Sequence, residues 1–238
     1  MKKVSCIIPA YNEGPRIENV LTAAARHPLI GEIIVINDGS TDDTHDVAAK
    51  FPITLITEEH NRGKTAALLR GIEAATSEFL LFLDADLVGI SAADITELLT
   101  PVLSGNADTS MSLRNNYPLW SWVGVDFLSG ERVLPRAFLT PHIAKLQKLP
   151  RFGFEIFVND LIIRACLRLA VVKWKGVASP FKYKKYGIWG GFRADLSMVR
   201  EIFKTISFID VFRQISALSA LKVPSVPNVD VELPHKSL

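Results

Sequence analysis

Asp84 and Asp86 stand one residue apart at the end of the apolar run Phe79-Leu80-Leu81-Phe82-Leu83. Carboxylates at i and i+2 can share one hard divalent cation, Mg2+ or Mn2+, together with the phosphates of a substrate. The same pair could simply cap the helix that follows, so the remaining polar stretches have to decide. Pro9-Ala10-Tyr11-Asn12-Glu13 offers a ring face, and Asn37-Asp38-Gly39-Ser40 offers a carboxylate. A base could stack on Tyr11 and hydrogen-bond through a ring N–H to Asp38. Gly63-Lys64-Thr65 places an ammonium at a predicted helix start, where free backbone N–H groups also favour a phosphate. Together these groups describe a site for a nucleoside diphosphate, not for a bare sugar.

Such a site needs a scaffold that brings distant loops together. Five consecutive apolar residues before Asp84 read as a strand buried on both faces. Its carboxylates then emerge at the C-terminal edge, where open α/β sheets bind ligands. Val4–Ile8, Glu32–Ile36 and Ile53–Ile56 read as further strands. Pro15 suits the first turn of a helix through Arg26. Ser40 with Asp43, and Ser91 with Asp94, have capping-box spacing. The first pair predicts a helix to about Lys50; the second opens one bearing Ile95, Leu98, Leu99, Val102 and Leu103. Between them, Gly63-Lys64-Thr65 opens a helix with Ala67, Leu68, Ile72 and Ala75 on its inner face. Repeated strand–helix units predict an α/β, Rossmann-like, mostly parallel central sheet with helices on both faces. Right-handed crossovers would gather the three strand-end loops along one edge. The first turn has no G-x-G-x-x-G, so a dinucleotide fingerprint is excluded.

The bulk properties narrow the class. A formal charge of +2 over 238 residues does not suggest a nucleic-acid binder. Cys6 and Cys166 lack metal-type spacing and read as reduced core residues, which fits a cytoplasmic protein. No signal peptide is expected before the first strand. No apolar run reaches the roughly 18 residues of a membrane span, so contact with the inner face of a membrane would be peripheral.

Four motifs in order carry a resemblance. Val4-Ser5-Cys6-Ile7-Ile8-Pro9-Ala10-Tyr11-Asn12-Glu13, Ile36-Asn37-Asp38-Gly39-Ser40-Thr41-Asp42, Asn61-Arg62-Gly63-Lys64 and Asp84-Ala85-Asp86 resemble the successive motifs of family-2 glycosyltransferases with the GT-A fold. The resemblance covers roughly residues 3 to 135. It implies a nucleotide-diphosphate sugar donor contacted by Pro9, Ala10, Tyr11, Glu13, Asp38, Gly63, Lys64, Asp84, Ala85 and Asp86. It implies Mg2+ or Mn2+ on Asp84 and Asp86, with Asp86 counted among the catalytic residues. The family's chemistry is usually an inverting single displacement, in which the metal acts as Lewis acid toward the departing nucleoside diphosphate.

The second half should select the acceptor. The expected organisation is a GT-A catalytic domain over 1–192, with a nucleotide-sugar half (1–105) and an acceptor half (106–192). A helical segment and extended tail over 193–238 follow. Asp108–Leu113 reads as a strand ending at Arg114, Phe152–Leu169 as a helix and Val171–Val177 as a strand. Many family members carry a Glu-Asp pair in this region; here Phe154-Glu155-Ile156 lacks the adjacent Asp. A phosphate acceptor would need no base, because it is already ionised at neutral pH. Arg114, Arg132, Lys182 and Lys184 could hold it, the lysines within a cluster from Lys173 to Lys185. Ser112-Leu113-Arg114, Ser129-Gly130-Glu131-Arg132 and Lys184-Lys185-Tyr186-Gly187 are similar to the lipid-phosphate contacts of polyprenyl-phosphate sugar synthases of the dolichol-phosphate mannosyltransferase type. Glu131 departs from that pattern. Ser129-Gly130-Glu131, Gly153-Phe154-Glu155 and the Asp84–Val88 strand end are also similar to retaining glucosyl-phosphoglycerate synthases, whose acceptor is small and soluble. Glu155 is the candidate nearest the anomeric carbon. Over residues 194–218 a C-terminal amphipathic helix is expected, lying in a membrane interface or packing on the catalytic domain. A silent nucleotide-sugar-binding protein is the competing class, against which the intact Asp84/Asp86 pair speaks.

Overall fold

The computed structural model describes residues 4–114, 124–150, 153–179 and 207–224. Among the described residues, seven strands form one sheet: β1 (Val4–Ala10), β2 (Ile30–Asp38), β3 (Thr54–Glu58), β4 (Phe79–Phe82), β5 (Thr109–Arg114), β6 (Arg132–Pro135) and β7 (Leu169–Trp174). Their order is β3-β2-β1-β4-β6-β5-β7. Every neighbouring pair is parallel except those involving β6, which runs antiparallel between β4 and β5. The longer helices are α1 (Gly14–Ala24), α3 (Lys64–Ala74), α4 (Ala92–Leu103), α7 (Phe154–Arg164) and α8 (Phe208–Ala220). Short ones are α2 (Thr44–Ala48), α5 (Arg136–Leu139) and α6 (Ile143–Leu146).

The period of two along each strand divides the core into two layers. In β1, Val4, Cys6 and Ile8 point to the side covered by Ile17, Val20 and Leu21 of α1 and Ile95, Leu98 and Leu99 of α4. Ile7 points to the opposite side, where Leu68 and Ile72 of α3, Val158 and Ile162 of α7 and Leu218 of α8 lie. β4 alternates in the same way, with Phe79 and Leu81 on one face and Leu80 and Phe82 on the other. This is a mixed α/β architecture, and burial on both faces is why its central strands are continuously apolar.

Two sequence expectations fail: Cys166, read as a core residue, is exposed, and one of the two capping boxes is absent. Ser40 and Asp43 do not form a capping box: α2 begins at Thr44 and has no side-chain cap. Ser91 and Asp94, with the same spacing, do form one at the start of α4. The C-terminal helix, where described, packs on the domain. Val211, Ile215 and Leu218 face the core, and Gln214 Nε2 donates to the Ile156 carbonyl at 3.2 Å. Beyond the helix, Leu169 N donates to Leu221 O and Val223 N to Leu169 O, each at 2.9 Å, so the chain adds a short rung beside β7. The outer face of α8 exposes Ile209 (65%) and Phe212 (69%). The rest of the expected amphipathic segment, residues 194–206, lies outside the described residues, as do 225–238. Among the described residues, no helix is long and apolar enough to cross a membrane.

Candidate active site

The loops at the C-terminal edge are tied to one another by side chains of the motif residues. Asn12 N donates to Ser40 Oγ at 3.0 Å, Glu13 N to Thr44 Oγ1 at 2.8 Å and Gly14 N to Asp42 Oδ2 at 3.2 Å. In return Thr41 N donates to Asn12 Oδ1 at 2.8 Å. The first turn of α1 therefore draws on the loop after β2 for its acceptors, which is why Ser40 is not available as a cap for α2. Asp38, at the end of β2, is buried, and its carboxylate accepts Arg62 N at 2.9 Å and Gly63 N at 2.8 Å. It fixes the entry to α3, where Gly63 takes a φ of +96° that favours glycine. Tyr11 is exposed beside this seam; Pro9 is half-buried, Ala10 and Ala85 are buried, and Glu13 pairs with Arg16 at 2.6 Å.

Asp84 and Asp86 follow β4 and are each half-buried. Lys64 reaches across from α3, its Nζ 2.7 Å from Asp84 Oδ1 and 2.8 Å from Glu155 Oε1 on α7. Burial works against the lysine charge, but the two carboxylates outweigh it and hold the ammonium above its ordinary value. The Asp-x-Asp loop is braced from behind. Val88 N donates to Ala178 O at 2.8 Å, and Ala178 N to Val88 O at 3.0 Å. Gly89 has a φ of +79° and passes close to the Gly176 carbonyl.

Arg114, Asp126, Glu131 and Arg132 form a buried charged layer behind this pair. Glu131 is fully buried, accepting from Ser112 Oγ at 2.7 Å and from Arg114 Nη1 at 3.2 Å. Burial raises its pKa, with the Arg114 charge opposing. Arg114 also pairs with Asp126 at 3.5 Å and donates to Ser179 Oγ, the residue after Ala178. Burial would lower its pKa, but Glu131, Asp126, Asp84 and Asp86 together keep it above the ordinary arginine value. Arg132 is 1% exposed; it donates to Ser129 O and, at 3.1 Å, to Asn159 Oδ1. Burial dominates here and pulls its pKa down despite Glu155, Asp126, Glu131 and Asp84.

The structure thus brings Lys64, Asp84 and Glu155 together and sets Arg114 and Arg132 inside the domain, where the sequence suggested cations facing an acceptor. Lys182 and Lys184 lie outside the described residues; Lys173 and Lys175 are exposed. Two clefts open elsewhere. One of about 690 Å³ lies between α3 and residues 146–150, and one of about 510 Å³ between α7 and α8. Neither is lined by Asp84 or Asp86. Sequence reasoning missed Asp126, Asn159 and Ser179. A lone acid between Val125 and Phe127 was the available signal, because a charge in an apolar run needs a buried partner.

Residues 5–118 match the family model described as Glycosyl transferase family 2. The match takes in just under half of the chain. The matched segment also aligns with curated relatives. A dolichol-phosphate mannosyltransferase of Pyrococcus furiosus is 34% identical over 91 residues, 36% of this chain and 26% of that protein. A glucosyl-3-phosphoglycerate synthase of Mycobacterium tuberculosis is 30% identical over 113 residues, 44% of this chain and 35% of that protein. The chain thus spans about a third or less of the length of these relatives. In three dimensions it is similar to the crystal structure of the M. tuberculosis synthase in complex with Mn2+, UDP and glucosyl-3-phosphoglycerate. There the TM-score is 0.66 at 23% identity, covering 86% of this chain and 80% of that one. The likeness extends the GT-A fold well beyond the matched segment.

Proposed function

We propose that this chain is a metal-dependent glycosyltransferase moving a sugar from a nucleotide-diphosphate sugar to a phosphate-bearing acceptor. The observation that carries the reading is the Lys64–Asp84 pair beside Asp86, at the sheet edge where the three motif loops meet. The donor set fits Mg2+ or Mn2+: two carboxylates one residue apart, one of them already holding a cation. Among the described residues, no group of three or more acidic, histidine or cysteine side chains forms a metal cage. Magnesium-type sites normally leave the remaining positions to water and substrate phosphates. When bound, the metal supplies Lewis-acid charge toward the departing diphosphate. The chain's own groups bind and orient. Tyr11 offers a stacking face for the base, the start of α3 faces the diphosphate, and Lys64 carries charge to match it.

For the acceptor, polyprenyl phosphate with inversion at the anomeric carbon is the first reading. It is supported by the similarity to the Pyrococcus mannosyltransferase and by the exposed Ile209 and Phe212. The second reading, retaining transfer to a small phosphorylated acceptor, is favoured by the fold likeness to the M. tuberculosis synthase over most of the chain. Mn2+-dependent release of sugar from nucleotide-sugar donors tests the enzyme itself, and Asp86→Ala should abolish metal-stimulated donor binding. Unchanged donor affinity in that variant would count against the metal assignment. Incubation with polyprenyl phosphate or 3-phosphoglycerate, with the product's anomeric configuration read by NMR, separates the two acceptors. A protein that binds donor without hydrolysing or transferring it under any of these conditions would be the silent class.

A further inference from the structure

We propose that Lys64 is a built-in counter-ion for Asp84, which the metal must displace, and that Glu155 retains the ammonium when it leaves. The proposal rests on the metal occupying Asp84 and Asp86. Its basis is that one ammonium bridges two carboxylates on different elements, at 2.7 Å to Asp84 and 2.8 Å to Glu155. A cation held twice can release one partner without losing its charge neutralisation. Glu155 is buried and sits in the first turn of α7, anchored away from the Asp-x-Asp loop.

Gly130 closes one side of the Lys64–Asp84 pair. Gly130 approaches so closely that a β-carbon there would stand 2.7 Å from Lys64 Nζ and within 2.8 Å of both Asp84 carboxylate oxygens. A divalent ion on Asp84 would face the ammonium as a like charge. Lys64 must then shift toward Glu155 and toward any anion that arrives, and a diphosphate supplies that anion. Metal alone should bind weakly, and metal with diphosphate tightly. By reciprocity, the diphosphate gains from the metal as much as the metal gains from the diphosphate. The device would keep the site from loading a metal before the donor comes.

Mn2+ binding followed by the loss of the free-ion EPR signal tests this without any turnover, with inorganic pyrophosphate as a base-free diphosphate. Wild-type protein should bind Mn2+ weakly alone and markedly more tightly with pyrophosphate. Lys64→Met should bind Mn2+ alone about tenfold more tightly than wild type, the gain expected for removing a partly screened cation from a carboxylate. Lys64→Gln repeats the removal should the methionine variant fold poorly. Arg62→Ala, which removes an exposed cation just before α3, should leave the wild-type affinity unchanged. Combining Lys64→Met with Asp86→Ala should abolish the gain, which places the ion on the aspartate pair. Glu155→Gln should weaken Mn2+ binding, because Lys64 then has Asp84 alone, and unchanged or tighter binding there overturns the role of Glu155. If wild type binds Mn2+ with pyrophosphate but Lys64→Met gains nothing, the counter-ion role fails while the metal site stands. If Mn2+ does not bind even with pyrophosphate, the metal site itself fails.

Discussion

Gly130 lies so close to Asp84 that any side chain at position 130 must displace the carboxylate: a β-carbon on Gly130 would stand 2.6 Å from Asp84 Oδ1. A residue at the turn into β6 thereby sets where the first carboxylate of the Asp-x-Asp pair can lie. Gly130→Ala should lower metal-stimulated donor binding by about tenfold or more, since small misplacements of binding groups are expensive. Its thermal midpoint should barely change, because the atoms that must yield are the ends of flexible side chains. Isothermal titration with Mn2+ and donor, beside a melting curve, checks both halves.

Arg132→Ala should act on the fold before it acts on any substrate. Removing the guanidinium leaves Ser129 O and Asn159 Oδ1 without their donor and takes a cation away from several buried carboxylates. The expected loss is about 3 kcal/mol, measured by urea denaturation. Arg132→Lys should not restore it, because a lysine lacks the planar fork that spans Ser129 and Asn159.

His27 predicts how stability follows acidity. It is buried, Nε2 lies 3.1 Å from Ala92 O and 2.9 Å from Thr96 Oγ1, and Leu29 N donates to Nδ1 at 3.3 Å. Burial lowers its pKa below the ordinary 6.5, with the Ala92 carbonyl opposing. The unfolded chain then binds the proton more readily than the folded one. This contribution to stability is full above the ordinary value and is lost as pH falls from there toward the folded-state value. Melting midpoints taken from neutral pH down to about pH 5 should decline, and His27→Gln should flatten part of that slope.

The two faces of α8 should separate cleanly. Leu218→Ala empties a fully buried position and should cost about 3 kcal/mol in chemical denaturation. Phe212→Ser, on the exposed side, should change stability by less than about 0.5 kcal/mol. Liposome co-sedimentation of the same variant should fall if that side meets a lipid surface.

Much of this arrangement was readable from residue order, and the gaps have physical causes. The apolar runs marked β1, β2 and β4 because strands covered on both sides tolerate little else. Ser91 and Asp94 announced a cap that exists, whereas Ser40 and Asp43 share the spacing without forming one. Serine and aspartate serve a helix end or a neighbouring loop equally well, and only the approach of Asn12 decides. β6 was not legible, since four residues beginning with arginine and ending with proline give almost no pattern. Nor was the burial of Arg114 and Arg132. Arginines are rarely interior, and the carboxylates that pair with Arg114, Asp126 and Glu131, lie beyond the end of its own strand.

The place of β6 bears on how the polypeptide acquires its shape. It is last but one among the strands in chain order, yet it sits mid-sheet, so β4 keeps one bare margin until residues 132–135 have been made. That margin belongs to Phe79-Leu80-Leu81-Phe82, a run well suited to pairing with another copy of itself. Residues 1–105 expressed alone should therefore clump, and translation pauses ahead of residue 132 would prolong the hazard for the nascent chain.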